Sequence, residues 1–372
     1  MAEGAKAGGG LRNVVVSESA ISSIDGARGE LAYRGVDIHE LARHSTFEET
    51  AYLLREGSLP DRRTLEAFRR ELASEREVPA EVLALVRGLA RGHPMVVLRT
   101  AVSALGALEA EDGQSSRRRT CLRLIAQMGT LVAAIGRTRA GEEPLLGDPS
   151  LGHAANFLFM LTGGRPSAAA ERAIDTALVL HADHEFNAST FAARVAASTL
   201  SDVHGCVTAA ISTLKGPLHG GANEAVMRTL QEIDSVDRVL PWVKEAFLSK
   251  RKVMGFGHAV YRTEDPRCTH LRALSREVSA KKGDLRWYAL SEGLEAAVRA
   301  EKGLFANVDF YSASLYHVLG IETPLFTPTF AVSRIAGWTA HIEEQLDHNR
   351  LIRPESEYSG PTNVPYVPLD QR

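Results

Sequence analysis

The chain has 372 residues, of which 44% are hydrophobic and 24% charged, enough for a large core and ordinary for a globular enzyme. Its formal net charge of −3 gives no whole-molecule attraction to nucleic acid or to an anionic membrane, so any anion binding must be local. No run approaches the ~18 apolar residues of a membrane helix, and Cys121, Cys206 and Cys268, scattered and without a CxxC pair, argue against a disulfide framework or a structural zinc and for a reducing cytoplasm.

The first ten residues, "MAEGAKAGGG", lack the apolar stretch of a signal peptide and read as a loose leader. "NVVVSESAISSIDGARGELAYRG" then holds short β-branched runs around Asp25-Gly26 and Arg28-Gly29, both hairpin-turn pairs. Past residue 37 the helical period dominates. "FEETAYLLREG" puts Phe47, Ala51 and Leu54 on one face and stops at Gly57. Similar stripes predict helices over 64–74, 79–90, 94–110, 119–137, 150–162, 168–183 and 187–200, and again over 203–214, 221–232, 238–248, 266–279, 285–301, 308–319 and 325–347. Breakers such as "GHP", "TGGRPS" and "KGPLHGG" separate them, which describes a mainly α protein with short connections and a small N-terminal β-hairpin. The tail "RPESEYSGPTNVPYVPLDQR" is Pro-rich and extended, suited to wrapping a partner subunit or to lying loose.

Four stretches combine polar groups with backbone punctuation. "LKGPLHGGANEAV" fences His219 between Pro217-Leu218 and Gly220-Gly221, at the mouth of a helix that begins near Ala222. "HADHEFNAST" places His181 and His184 three apart, on one face if helical, beside Glu185. That pair reads as a metal-ligand pair, as a substrate-binding histidine, or as an ordinary helix end. The pattern is not HExxH and no Cys or second paired carboxylate completes a shell, so metal is disfavoured. "KVMGFGHAVYRTEDPR" carries Gly255 and Gly257 around Phe256 and leads to His258, Arg262 and Arg267, with Lys250, Arg251 and Lys252 adding positive charge. Close glycines let backbone N–H groups approach a ligand such as a phosphorylated cofactor, although a simple turn accounts for a lone G-x-G as well. "NVDFYSASLYHVLGI" sets Asp309 at the start of an apolar helix, where an acidic residue is commonly no more than a cap. Downstream, Arg334 interrupts "FAVSRIAGWTAHI" and Arg353 follows in "LIRPESE"; separated arginines together with histidines suit carboxylate recognition.

Taken together, "AISSIDGARGELAYRG", "HADHEFNAST", "LKGPLHGGANE", "MGFGHAVY…DPR", "NVDFYSA", "SRIAGW" and "LIRP" resemble the citrate synthase family, including its 2-methylcitrate branch, in family order over nearly the whole chain. The resemblance implies a two-domain helical fold: a large domain of residues 1–219 and 326–372, and a small mobile domain of about 220–325 that closes over the site. It implies a Claisen-type condensation of acetyl-CoA with oxaloacetate, giving citrate and CoA, the first step of the tricarboxylic acid cycle. His219 matches the histidine that hydrogen-bonds the thioester carbonyl, His258 the one facing the ketone, and Asp309 the base. His184, Arg267, Arg334 and Arg353 match the oxaloacetate set, the last arginine commonly coming from the other subunit of a homodimer. Lys252, Val253, Met254, Gly255 and Phe256 match the loop over CoA. Acetyl-CoA is then a co-substrate, with no permanently bound cofactor and no metal. Ala259 stands where many bacterial members have Arg, so Lys250, Lys252 or Arg262 would supply charge for the CoA phosphates.

A carboxylate is too weak a base to form a free enolate from a thioester, so a well-aimed donor must stabilise the developing oxygen charge. The positive end of the helix starting near Ala222 would keep His219 neutral for that task. The rival readings are a 2-methylcitrate synthase using propionyl-CoA, a catalytically silent helical scaffold, and a His/Glu metalloenzyme centred on His181, His184 and Glu185.

Overall fold

A computed structural model describes residue 11 and residues 14–109 and 113–372. The leader at residues 1–10 lies outside the described residues. Among those described, one small antiparallel sheet precedes sixteen α-helices. Strand β1 (Ser22–Asp25) pairs with β2 (Glu30–Tyr33) in the register Ser22↔Tyr33 to Asp25↔Glu30, and β2 pairs with β3 (Val36–Asp37). The two turn pairs expected at Asp25-Gly26 and Arg28-Gly29 are the two ends of one connection, closed by the Gly29 N–H on the Asp25 carbonyl at 2.8 Å. The second turn is at Arg34-Gly35, both with positive φ, 49° and 82°. Val14, Val15 and Val16 form no strand and are exposed, because no neighbouring strand is there to take their backbone hydrogen bonds.

Helices follow as α1 (Ile38–His44), α2 (Phe47–Glu56), α3 (Arg62–Ser74), α4 (Ala80–Gly88), α5 (Pro94–Leu108), α6 (Gly113–Arg139), α7 (His153–Thr162) and α8 (Ala168–His181). The second half comprises α9 (Ala188–Ser198), α10 (Val203–Leu214), α11 (Ala222–Ile233), α12 (Val239–Leu248), α13 (Pro266–Lys282), α14 (Arg286–Lys302), α15 (Val308–Val318) and α16 (Phe326–Asp347). Side-chain caps start many of them: Thr46, Asp61, Asn187, Asp202, Asp265 and Asn307 each accept a backbone N–H of the first turn. Helix α1, too short to show an apolar period, has Asp37 as its cap.

Helix α16 is the axis of the core. Nearly every side chain it carries is buried, against α2, α5, α6, α8, α9 and α10, so one guanidinium, Arg334, sits deep inside apolar packing. Contact with the end of α8 is close. A Cβ on Gly337 would lie 2.4 Å from the Ala182 carbonyl oxygen and from Asp183 Oδ1, while the Gly337 N–H bonds that same carbonyl at 3.1 Å. Helix α8 ends at His181, two residues before the expected 183, because its last groups are taken by tertiary partners. The Tyr33 hydroxyl bonds the Asp183 carbonyl at 3.0 Å, Arg334 Nε donates to the His181 carbonyl at 2.7 Å, and Asp183 pairs with His341 at 3.3 Å. His181 and His184 therefore do not share a helix face, and the metal-ligand pair is not formed: His181 turns into the core and His184 into the cleft. No helix of the described residues is long and apolar enough to cross a membrane.

Gly337→Ala is expected to destabilise the protein by about 1–3 kcal/mol, the usual cost of overpacking a close contact. A urea midpoint equal to that of the unchanged protein would contradict the close approach.

Candidate active site

A cleft of about 700 Å³ lies where the α8–α9 connection, the 215–222 turn, the 252–260 loop, the start of α15 and the middle of α16 meet. His184, His219, His258, Arg267, Asp309 and Arg334 all line it. Six of the seven residues expected to act directly on substrate are thus gathered from elements 150 residues apart in sequence, since Arg334 and His184 are separated by that span. Arg353 is not among them. It is exposed on the tail and lines a different groove with Leu351, Ile352 and Arg194.

The two loop glycines show how the 252–258 stretch reaches the cleft. Gly255 has φ of 84°, and a Cβ there would lie 2.6 Å from Val226 Cγ2 and 2.9 Å from Phe310 Cδ2. The loop is laced onto the residues before α15: the Asn307 N–H bonds the Gly255 carbonyl at 2.9 Å, the Gly257 N–H bonds the Phe305 carbonyl at 2.9 Å, and Asn307 Nδ2 bonds the Gly257 carbonyl at 2.9 Å. Of the expected CoA loop, Lys252, Met254, Gly255 and Phe256 line the cleft; Val253 does not, because its apolar side chain is buried in the core beneath. Lys252 is the one of the three proposed charge donors on the cleft wall; Lys250 and Arg262 are exposed away from it.

Both central imidazoles are neutral donors by their hydrogen bonds. His219 Nε2 receives the Ser189 backbone N–H at 3.3 Å and lies 2.8 Å from Ser189 Oγ. A backbone N–H only donates, so Nε2 carries no hydrogen and the ring proton is on Nδ1. His258 has the opposite tautomer: its Nδ1 receives the N–H groups of Val260 at 3.0 Å and Tyr261 at 3.2 Å, which leaves the proton on Nε2. Burial first and Arg334 second push the His219 imidazolium down to about 4. His258 falls to about 4, again by burial first and then by Arg267. His219 is neutral as expected: burial and a buried guanidinium both favour that form, and α11 begins at Ala222, where the sequence placed it. His184, held well below its ordinary value by burial and then Arg267, faces the Tyr261 hydroxyl through Nε2 at 3.3 Å.

Asp309 is not a cap. Asn307 occupies that position, accepting the Asp309 N–H at 3.1 Å. The carboxylate is left without a hydrogen-bond partner at Oδ1, and burial, with a further push from the Asp265 charge, raises it to about 7 against the pull of Arg267 and Arg334. The two buried arginines differ. Arg267 is gripped by Asp265 through Nε at 2.9 Å and Nη2 at 2.8 Å. Arg334, 1% exposed, has no carboxylate within ion-pair distance among the described residues; its Nε bonds a carbonyl and its guanidinium carbon lies 4.6 Å from the Phe330 ring centroid. Burial draws its pKa down to about 10. An uncompensated buried cation facing a cleft is the electrostatic complement of an anionic ligand.

Ser189, Tyr261, Asp265 and Asn307 are positioning groups that sequence reasoning did not single out. Each lies inside a stretch already marked, two to five residues from a site histidine or from Asp309, or two before Arg267. Distance in sequence to a marked residue was the available signal, and the hydroxyl or amide was not distinguishable from an ordinary cap.

A mainly helical chain whose cleft holds two neutral donors, one unpaired carboxylate and an uncompensated guanidinium defines an acid–base enzyme for anionic substrates. A family model described as citrate synthase, C-terminal domain, matches residues 10–355. The chain is 47% identical over 368 residues to citrate synthase 2 of Bacillus subtilis, spanning 98% of each chain. It is 43% identical over 371 residues to the 2-methylcitrate synthase of Shewanella oneidensis, again spanning 98% of each. The ternary complex of carboxymethyl coenzyme A and oxaloacetate with citrate synthase from Thermoplasma acidophilum matches with a TM-score of 0.93 at 33% identity, covering 98% of each chain. The chain belongs to the citrate synthase family of acyltransferases.

Stability should fall on acidification. His153, His219, His258 and His270 are each held near 4 and His181 near 3, all below the 6.5 of an unfolded imidazole. The unfolded chain therefore binds more protons between those values, and stability is lost as pH falls through 6.5. Asp309 and Asp175, raised to about 7, and Glu185 and Glu343, raised by burial, oppose this, but burial lowers His93, His184 and His317 as well, so the imidazoles outnumber the carboxyls. The urea midpoint is expected to be lower at pH 5.5 than at pH 7.5; an equal or higher midpoint at pH 5.5 would contradict these protonation states.

Proposed function

We propose that this chain is a citrate synthase, which condenses acetyl-CoA with oxaloacetate and water to citrate and CoA. The observation that carries the reading is the pairing of neutral donors with an unpartnered carboxylate beside Arg334. His184, Arg267 and Arg334 hold the two carboxylates of oxaloacetate, and their charge makes its ketone more electrophilic. Asp309 removes a proton from the acetyl methyl group. His219 Nδ1–H donates to the thioester oxygen as charge develops there, a contribution of about 2.7–4 kcal/mol for one well-placed donor. The enol carbon then attacks the ketone carbon, and His258 Nε2–H donates to the ketone oxygen. Hydrolysis of the thioester releases citrate and CoA.

Lys252 and the backbone from Met254 to Phe256 form the wall that receives CoA. Arg353 lies apart from this chain's cleft, which is consistent with its serving the cleft of a second copy in a homodimer, wrapped by the extended tail. Residues 220–325 move as a small domain that closes over oxaloacetate and excludes water. No permanently bound cofactor or metal is part of this reading, and a cytoplasmic location agrees with it.

The Shewanella oneidensis relative supports a second reading, 2-methylcitrate synthesis from propionyl-CoA. Room for one methylene is worth only about 1–3 kcal/mol, so the two differ in the ratio of kcat/KM for the two thioesters. Acetyl-CoA is expected to be preferred; a preference for propionyl-CoA would establish the second reading. Asp309→Ala is expected to lower kcat by about 10²–10⁴-fold while oxaloacetate binding, followed by calorimetry, is retained. Turnover that survives the substitution would remove Asp309 from the role of base.

A further inference from the structure

Among the polar atoms that are sealed from solvent and lack a hydrogen-bond partner are Asp309 Oδ1, Tyr316 Oη and His181 Nε2. Buried polar groups are normally satisfied, so a cluster of exceptions needs a physical cause. Their chemistry is complementary. His181 Nδ1 lies 2.7 Å from the Ala177 carbonyl, an oxygen that only accepts, so the ring proton is on Nδ1 and Nε2 is a bare acceptor. Tyr316 supplies one O–H, and Asp309 supplies a carboxylate oxygen.

Geometry brings them together. Tyr316 stands two turns after Asp309 on α15, on the same face of the helix. Long helical side chains lean back toward the N-terminus, so the phenol runs toward the carboxylate. Burial first and the Asp309 charge second make that phenol harder to ionise. The His181 and Tyr316 ring centroids are 6.2 Å apart, with Phe330 edge-on to His181 at 4.7 Å and Phe326 edge-on to Tyr316 at 5.5 Å. Aromatic rings thus pack around His181 and Tyr316, both fully buried.

We propose that Tyr316 is a positioning residue for Asp309, holding the inner carboxylate oxygen through one ordered water that it shares with His181. The water accepts the Tyr316 O–H and donates one hydrogen to Asp309 Oδ1 and one to His181 Nε2. Three bonds satisfy all three orphaned atoms, the number a buried water typically makes. Oδ1 is then anchored and Oδ2 is the oxygen presented to the acyl methyl group. The proposal rests on Asp309 acting as the base. Burial and Asp265 raise its pKa while Arg267 from α13 and Arg334 from α16 lower it; Tyr316 stands on its own helix, His181 at the end of α8, and His219 and His258 line the same cleft.

Tyr316→Phe removes only the phenol oxygen and with it the donor that holds and polarises the water whose hydrogen bond favours the ionised carboxylate. The acid limb of kcat against pH is expected to move up by about one unit, with KM for oxaloacetate unchanged. The infrared titration of the protonated Asp309 carboxyl, assigned by its loss in Asp309→Asn, should move by the same amount. Tyr316→Leu should give the same shift if the phenol oxygen rather than the ring matters. A melting temperature that falls in both variants while limb and band stay in place makes Tyr316 merely structural and overturns the proposal. Turnover retained by Asp309→Ala overturns the base assignment instead, and the infrared band still tests the coupling between Tyr316 and Asp309.

Discussion

The Asp265 carboxylate is the tie on which the site depends. It is fully sealed in the fold, 1% exposed, and it accepts Nε and Nη2 of Arg267, the Arg267 backbone N–H at 3.1 Å and the Val308 N–H at 3.1 Å. One group thereby starts α13, fixes a guanidinium in the cleft wall and anchors the first turn of α15, where Asp309 sits. A buried ion pair is poor evidence of net stability, since desolvation offsets most of the attraction. Its value here is geometric. A bidentate fork admits little rotation, so the positions of Arg267 and Asp309 are set relative to each other before any substrate arrives.

Against that satisfied pair, Arg334 stands out as a buried charge left to be answered by a ligand. Its presence also depresses imidazolium formation at His219, while Arg267 does so at His258 and, with Arg334 behind it, at His184. The same cations that favour an anionic substrate therefore hold the histidines in the neutral form that can donate a hydrogen bond to an oxygen gaining negative charge. The charges that suit an anionic ligand and those that set the protonation of the histidines are therefore one set. The scaffold that achieves this is the N-terminal hairpin together with α16. Tyr33 and Arg334 hold the end of α8, and the Ile24 N–H bonds Glu185 at 2.9 Å, which steadies the connection bearing His184.

Much of this was legible in the chain itself. Apolar stripes separated by Gly and Pro located the long helices, because a 3.6-residue apolar period sustained over three or more turns fits an amphipathic helix and not a strand. Helix α1 was missed because seven residues show too little period, and the end of α8 was misplaced because Tyr33 and Arg334, distant in sequence, took its carbonyls. The marked residues His184, His219, His258, Arg267, Asp309 and Arg334 do converge on one cleft. Val253 and Arg353 do not, since side-chain direction in a loop and the course of a tail depend on what they pack against.

By itself, then, the sequence determined the helical class, most helix boundaries to within about three residues, though α6 starts six before the expected 119, and the identity of most groups in the cleft. These follow from local periodicity, turn chemistry and motifs whose residue types carry their own reactivity. Only the tertiary structure decided which ring nitrogen of His219 and His258 bears the proton, that Asn307 rather than Asp309 caps α15, and that Arg267 is paired while Arg334 is not. Those outcomes depend on hydrogen bonds and burial between residues up to 150 positions apart, as Arg334 is from His184, and no local pattern encodes the distance between such partners.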